Sequence, residues 1–236
     1  MEGSLKVLLA ATLVILETGC GLPNPYFLAA PGVGNFPAGA TSICTFTSPG
    51  YAAGSNFTGF EVYYKFYNPQ SPPGQSDLNL AGGGGTGPFV LTANGFNPIT
   101  LSTDNAPFSR TIPLIQPAAG DIPNSLTISL TFNTNSAATY SYTGGAISPT
   151  TPIAIGRNIA NNQPGGTGSR SFQPGLPPPA DYLTSDGDVS AVYPQCASQG
   201  QAFILLYALS YGLQSGNVTE YSTPICLGYV SLTPFP

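Results

Sequence analysis

Gln201 to Leu232, QAFILLYALSYGLQSGNVTEYSTPICLGYVSL, opens with the unbroken apolar run Ala202-Phe203-Ile204-Leu205-Leu206-Tyr207-Ala208-Leu209. The run is far shorter than the ~20 apolar residues a helix needs to cross a bilayer. It is also rich in aromatic side chains, so it reads as a central strand buried on both faces. A turn is expected at Gly212 to Gly216, with Tyr221 to Leu232 returning beside the first strand. This stretch decides a β fold and names no chemistry.

Working outward, the composition agrees. The chain has 236 residues, 42% hydrophobic and only 6% charged. It is long enough for one sizeable core, and uncharged polar residues take the place of an ordinary charged surface. Such surfaces suit exported β-proteins, whose strands favour Thr, Tyr, Phe and Val and whose turns use Gly, Pro and Asn. With 29 Gly and 25 Pro, long helices are not expected. The formal net charge is -5, and the five cations, Lys6, Lys65, Arg110, Arg157 and Arg170, are scattered. Nucleic acid is therefore not expected as a partner, because binding phosphate needs clustered cations. There is no histidine. Its absence removes Ser-His-Asp and Cys-His catalysis, His-ligated zinc and the usual near-neutral proton shuttle.

The N-terminus carries the most specific signal. Lys6 precedes a ten-residue apolar block, Val7 to Leu16, followed by Glu17-Thr18-Gly19-Cys20. A block that short suits the core of an export signal, here residues 1–19, and is about half the ~20 residues of a membrane span. Small Thr18 and Gly19 before a cysteine resemble the lipobox of bacterial lipoproteins, although Glu17 stands where Leu or Val is usual. The resemblance implies lipidation of Cys20 and a mature chain beginning there; an ordinary secretory signal with a free or paired Cys20 is the other reading. Acyl chains contribute ~0.8 kcal/mol per buried methylene, so two or three would make the membrane attachment effectively permanent. The implied location is the bacterial cell envelope, with the outer membrane as the default. Gly21 to Ala40 is rich in Gly and Pro without a sustained period, and residues 20–40 read as a tether ahead of a single domain, 41–236.

Within that domain Ser42 to Ser48 is the first strand expected, then Gly59-Phe60-Glu61-Val62-Tyr63-Tyr64-Lys65-Phe66-Tyr67. Leu126 to Asn133 alternates cleanly, with Leu126, Ile128, Leu130 and Phe132 toward the core. Weaker strand patterns cover Phe89 to Ala93, Ile99 to Ser102, Arg110 to Gln116, Thr139 to Thr143 and Pro152 to Ile155; Asn68 to Thr86, Gln116 to Pro123 and Asn161 to Pro179 read as loops. The Gly59 to Tyr67 phrase, together with Glu220-Tyr221-Ser222-Thr223-Pro224 after Leu206 to Ser210, resembles the fibronectin type III domain. That resemblance implies an all-β, immunoglobulin-like sandwich. Such domains need ~100 residues, so the excess implies long loop elaborations. The family's core tryptophan is missing, since the chain has no Trp, and an aromatic such as Phe46 would fill its place. The chain also resembles a set of uncharacterised spirochaete lipoproteins carrying phrases like Gly59 to Tyr67 and Tyr207 to Gly212, which implies no activity.

In an immunoglobulin-like sandwich Cys44 and Cys196 would lie at the same end of facing sheets, which favours a Cys44–Cys196 disulfide; Cys196 with Cys226 is the alternative. A bridge closing so long a loop contributes ~4 kcal/mol in the chain-entropy model. Asp181, Asp186 and Asp188 form the local carboxylate cluster. Calcium takes six to eight oxygens and could use such a loop, but the EF-hand spacing is missing, and a solvated turn explains the same residues. Gly82 to Gly85 fails as a phosphate loop because Pro88 stands where the lysine and helix should begin. Pro177-Pro178-Pro179 reads as a short extended linker. Tyr140 and Tyr142 share one face of a short strand; core packing is the favoured reading, and an exposed pair that stacks on sugar rings is the other.

No catalytic residue and no cofactor are expected. The leading expectation is a non-enzymatic, lipid-anchored envelope protein that binds a protein or glycan ligand or has a structural role. A carbohydrate-binding module is the alternative, followed by a glycosidase using carboxylates alone.

Overall fold

The computed structural model describes residues 28–35, 42–52, 54–80, 87–101, 113–132, 136–146, 151–159, 169–172, 182, 186–214 and 218–235. The apolar run at 202–209 becomes the middle of β9, Ala202–Gln214. Its neighbour on one edge is β3, Phe57–Tyr67, paired antiparallel from Phe57↔Gly212 to Tyr67↔Phe203. The other edge is shared end to end by β11, Ile225–Leu232, and β10, Val218–Tyr221. The chain thus returns beside β9 as the sequence predicts, in two pieces, with the strand continuing past Gly212.

Both faces of this pair are covered, which is why neither strand alternates with polar residues. On the inner face Phe60, Val62, Tyr64, Phe66, Ile204, Leu206 and Ala208 join the main core. Facing them are residues of β2, Ile43–Thr47, β5, Thr127–Thr131, and β6, Thr139–Thr143. Phe46 is fully buried in this core and meets Phe60 edge to face at 5.3 Å. On the outer face Tyr63, Tyr67, Leu205, Tyr207 and Leu209 form a second cluster with Leu91 and Phe96. Each large apolar side chain so enclosed contributes about 1.5–3 kcal/mol.

The strand order is β1-β2-β5-β6-β7-β4-β3-β9-β10, where β1 is Gly32–Asn35, β4 is Asn97–Leu101 and β7 is Ile153–Asn158. β8, Ser169–Ser171, pairs with β7. All named pairs are antiparallel, and β11 also lies against β1 and β2, so the sheet curls into two facing layers. The all-β expectation holds. Among the described residues the helices are α1, Gln75–Leu78, α2, Phe89–Ala93, and α3, Tyr193–Gln199.

Several local readings are corrected. Phe89 to Ala93 is a turn of helix and not a strand: Leu91 and Thr92 donate their backbone N–H to Pro88, and Gly95 closes the turn at φ 79°. The tether reading of residues 20–40 does not hold for its described part, residues 28–35. Leu28 packs in the core, and β1 pairs with β2. Gly59 is required where Phe60 and Ile115 exchange backbone hydrogen bonds, because a Cβ there would lie 2.1 Å from the Ile115 oxygen. Ile115 is the one described bridge from the stretch read as Arg110 to Gln116, of which residues 110–112 lie outside the described residues. α1 falls within the loop read at Asn68 to Thr86, and β8 within the one read at Asn161 to Pro179.

Candidate functional site

β7 reads as an apolar strand interrupted by one cation, and its inward positions Ile155 and Arg157 are both fully buried. A guanidinium taken out of water needs full compensation. It comes from the turn after Tyr182. Arg157 Nη2 donates to Asp186 Oδ2 at 2.8 Å, and Nη1 donates to Asp188 Oδ1 and Oδ2 at 3.0 and 3.1 Å. All three side chains have 0% exposure. The Tyr64 hydroxyl, from β3, donates to Asp188 Oδ2 at 2.7 Å. Tyr182 and Phe66 line the guanidinium at 4.2 and 5.8 Å from their ring centroids, and the Tyr182 hydroxyl donates to the Phe172 carbonyl at 2.9 Å. The turn itself is held by Val189 and Ser190, whose N–H groups donate to the Asp186 carbonyl, and by the fully buried Val189 side chain.

Electrostatics follow from this enclosure. Burial works against the Arg157 charge, but Asp188, Tyr182, Tyr64 and the hydrogen bond to Asp186 together outweigh it and keep the guanidinium protonated. Burial raises the Asp188 carboxyl, Asp186 adds to the rise, and Arg157 and the Tyr64 hydroxyl offset only part of it. Burial, then Asp188, pushes the Tyr64 hydroxyl well above its ordinary value.

The cluster therefore joins two of the three carboxylates singled out in the sequence, Asp186 and Asp188, to a cation that the sequence presents as merely scattered. Asp181 lies outside the described residues. The solvated-turn reading is corrected: the turn leads into α3, and its carboxylates face the core because Arg157 draws them there. Among the described residues no group of three or more His, Cys, Asp or Glu side chains is gathered for a metal.

The disulfide expectation is also corrected. Cys44, Cys196 and Cys226 are free thiols. Cys44 points between the sheets and donates to the Leu227 carbonyl at 3.4 Å, whereas Cys196 lies on α3 and donates to the Tyr67 carbonyl at 3.8 Å. Because a helix intervenes before β9, Cys196 does not stand at a strand entrance facing Cys44. Cys226 pairs with Tyr207 in the ladder and packs on the outer cluster, opposite in face to Cys44. Burial pushes the Cys44 thiol up to about 12 and the Cys196 thiol up to about 11.

Tyr140 and Tyr142 are 5% and 6% exposed and belong to the main core, which corrects the sugar-stacking alternative. Two polar groupings lie on the outer face that the sequence did not reveal. Glu61 is buried and accepts from the Tyr63 hydroxyl at 2.9 Å, while burial and then Glu61 raise the Tyr211 and Tyr221 hydroxyls. Nearer α1, the Tyr207 hydroxyl donates to the Asp77 carbonyl at 2.5 Å and accepts from the Leu80 N–H at 3.3 Å, and Lys65 pairs with Asp77 at 3.8 Å. These contacts fasten 75–80 onto the sheet. Their sequence signal is confined to Glu61 and Lys65, two charged residues set among the aromatic and apolar residues of β3.

Cys20, Gly82 to Gly85 and Pro177 to Pro179 lie outside the described residues, and no described helix is long and apolar enough to cross a membrane. Compared with protein-family models, with curated proteins and with solved structures, the chain matches none.

Proposed function

We propose that the chain is a lipid-anchored protein of the bacterial cell envelope, attached through Cys20, that acts by binding or assembly and not by catalysis. The observation that carries this reading is the enclosure of Asp186 and Asp188 around Arg157, with 0% side-chain exposure. Carboxylates in that state hold a fold together and do not meet a substrate. The thiols support the same reading, because catalysis by cysteine needs the thiolate and burial disfavours it at Cys44 and Cys196. A sandwich of the fibronectin type III kind is supported by β4-β3-β9-β11 running in one layer and β1-β2-β5 in the other. Both faces of the β3–β9 pair are covered, which leaves loops and strand ends to carry contacts.

The test is metabolic labelling of the full-length chain in a bacterial host with an alkyne fatty acid. Label in the native chain and none in Cys20→Ser is expected; an unlabelled native chain rejects the anchor. Treating intact cells with protease then reports which side of the envelope the domain occupies.

A further inference from the structure

We infer that the β9–β10 hairpin end of the domain rests on the lipid surface, with Leu213 and Val218 as its apolar contacts. This rests on the proposed lipid anchor at Cys20 and goes beyond it by assigning the face that meets the bilayer.

The first argument is reach. Residues 21–27 separate Cys20 from Leu28, which is already packed in the core. Eight residue steps span at most about 29 Å when fully extended. Leu28 does not dock at an arbitrary place. Its Cδ1 lies 2.9 Å from where a Cβ on Gly212 would stand, and the Ala29 carbonyl accepts from the Tyr51 hydroxyl at 2.6 Å and from Ser210 Oγ at 2.7 Å. The chain therefore enters at the C-terminal end of β9. Ala202, at the other end, is eleven residues from Leu213, which corresponds to roughly 36 Å of strand.

The second argument is the surface at that end. Leu213 is 37% exposed and Val218 is 56% exposed. Val218 pairs with Gln214 and Thr219 with Leu213, so the two apolar side chains project from opposite faces of the ribbon. The nearby carboxylate, Glu220, accepts from Gln214 and from Asn56. Of the described cations, Lys65 pairs opposite Leu205 toward the far end of β9, Arg157 is buried, and Arg170 stands on β8, which β7, β4 and β3 separate from β9. Contact with the bilayer is therefore apolar, and it does not depend on anionic headgroups.

The chain has no tryptophan, so one introduced indole reports its own surroundings. Val218→Trp protein, purified with its acyl chains, is placed in phosphatidylcholine vesicles with and without bromine on the lipid chains. The brominated lipid is expected to quench most of its emission, equally in high salt and with added anionic lipid. Ser198→Trp, on the exposed side of α3 beyond the other end of β9, is expected to keep its emission. Leu213→Trp provides a second reporter should Val218→Trp fail to fold. Equal quenching at both ends, or none at 218 and 213, overturns the assignment. A blue-shifted but unquenched indole at those positions places the hairpin against protein and overturns it as well. Intact mass of the same preparation separates the two readings. A mass without acyl chains removes both, whereas an acylated protein with an unquenched hairpin removes only the orientation.

Discussion

The Arg157 guanidinium carbon lies 4.2 Å from the centroid of the Tyr182 ring, and the same ring packs on Phe235 at 4.8 Å. One buried cation thus ties β7 to the turn before α3 and, through Tyr182, to the end of the chain. Contacts so far apart in sequence lose their partners together when the cation is removed.

Arg157→Leu should destabilise the domain by about 3–5 kcal/mol, because it leaves the Asp186 and Asp188 carboxylates buried without their partner. Urea unfolding of the variant checks this. Lysine should not restore stability, since a single ammonium cannot fork to two carboxylates. A midpoint equal to the wild type's would show that the cluster is not what holds the turn.

The Asp188 carboxyl gives the cluster a pH dependence of definite sign. Its native value is raised above the ordinary value of 3.8, so the folded chain holds this proton more tightly than the unfolded chain does. The stabilisation is complete below the unfolded value and is lost as pH rises through the native one. Relative to Asp188→Asn, which does not titrate, the wild type should lose stability as the pH is raised above 3.8, and the difference should then level off. Denaturation midpoints of both proteins across the weakly acidic range measure it; a difference growing in the opposite direction would contradict the raised value.

The three described cysteines, Cys44 and Cys196 buried and Cys226 half-buried, should behave as unbridged thiols. Reductant should leave the melting temperature unchanged, and a disulfide reagent should react slowly with the native protein and quickly in denaturant, because burial raises Cys44 and Cys196. An intact mass lighter by a pair of hydrogens before reduction would reinstate a bridge.

Tyr207→Phe removes a group that donates to the Asp77 carbonyl and accepts from the Leu80 N–H. The expected cost is about 1–3 kcal/mol, the desolvation penalty of the groups left unmatched. Hydrogen exchange should accelerate first at residues 75–80. Uniform acceleration across β9 would mean that the hydroxyl serves the sheet as a whole.

Where side chains obey a short period, the sequence displays the fold. Leu126, Ile128, Leu130 and Phe132 are buried as their alternation predicts, and β3 and β9 announce two covered faces by lacking alternation. α2 is misread because Phe89-Val90-Leu91 is apolar and too short for a helical period to show. Pro88 before it and Gly95 after it are the punctuation that marks a single turn of helix. The Arg157 cluster is only half visible. Asp186 and Asp188 stand out as neighbours in sequence, but their partner is some thirty residues away, just past the weak strand pattern that ends at Ile155. Nothing local connects them, since the encounter is made by the β4–β7 and β3–β4 pairings. A lone arginine in an apolar strand, in a chain so poor in charge, is the clue that could have been used.

The curl that brings β11 against β1 and β2 bears on how the molecule keeps to itself. Open strand ladders recruit other chains, and many β-proteins deter this with lysines placed along the outermost strands. With 6% charged residues this chain has few such guards. The first and last described strands, β1 and β11, lie against one another instead, so that shape does for these two strands what charge does elsewhere.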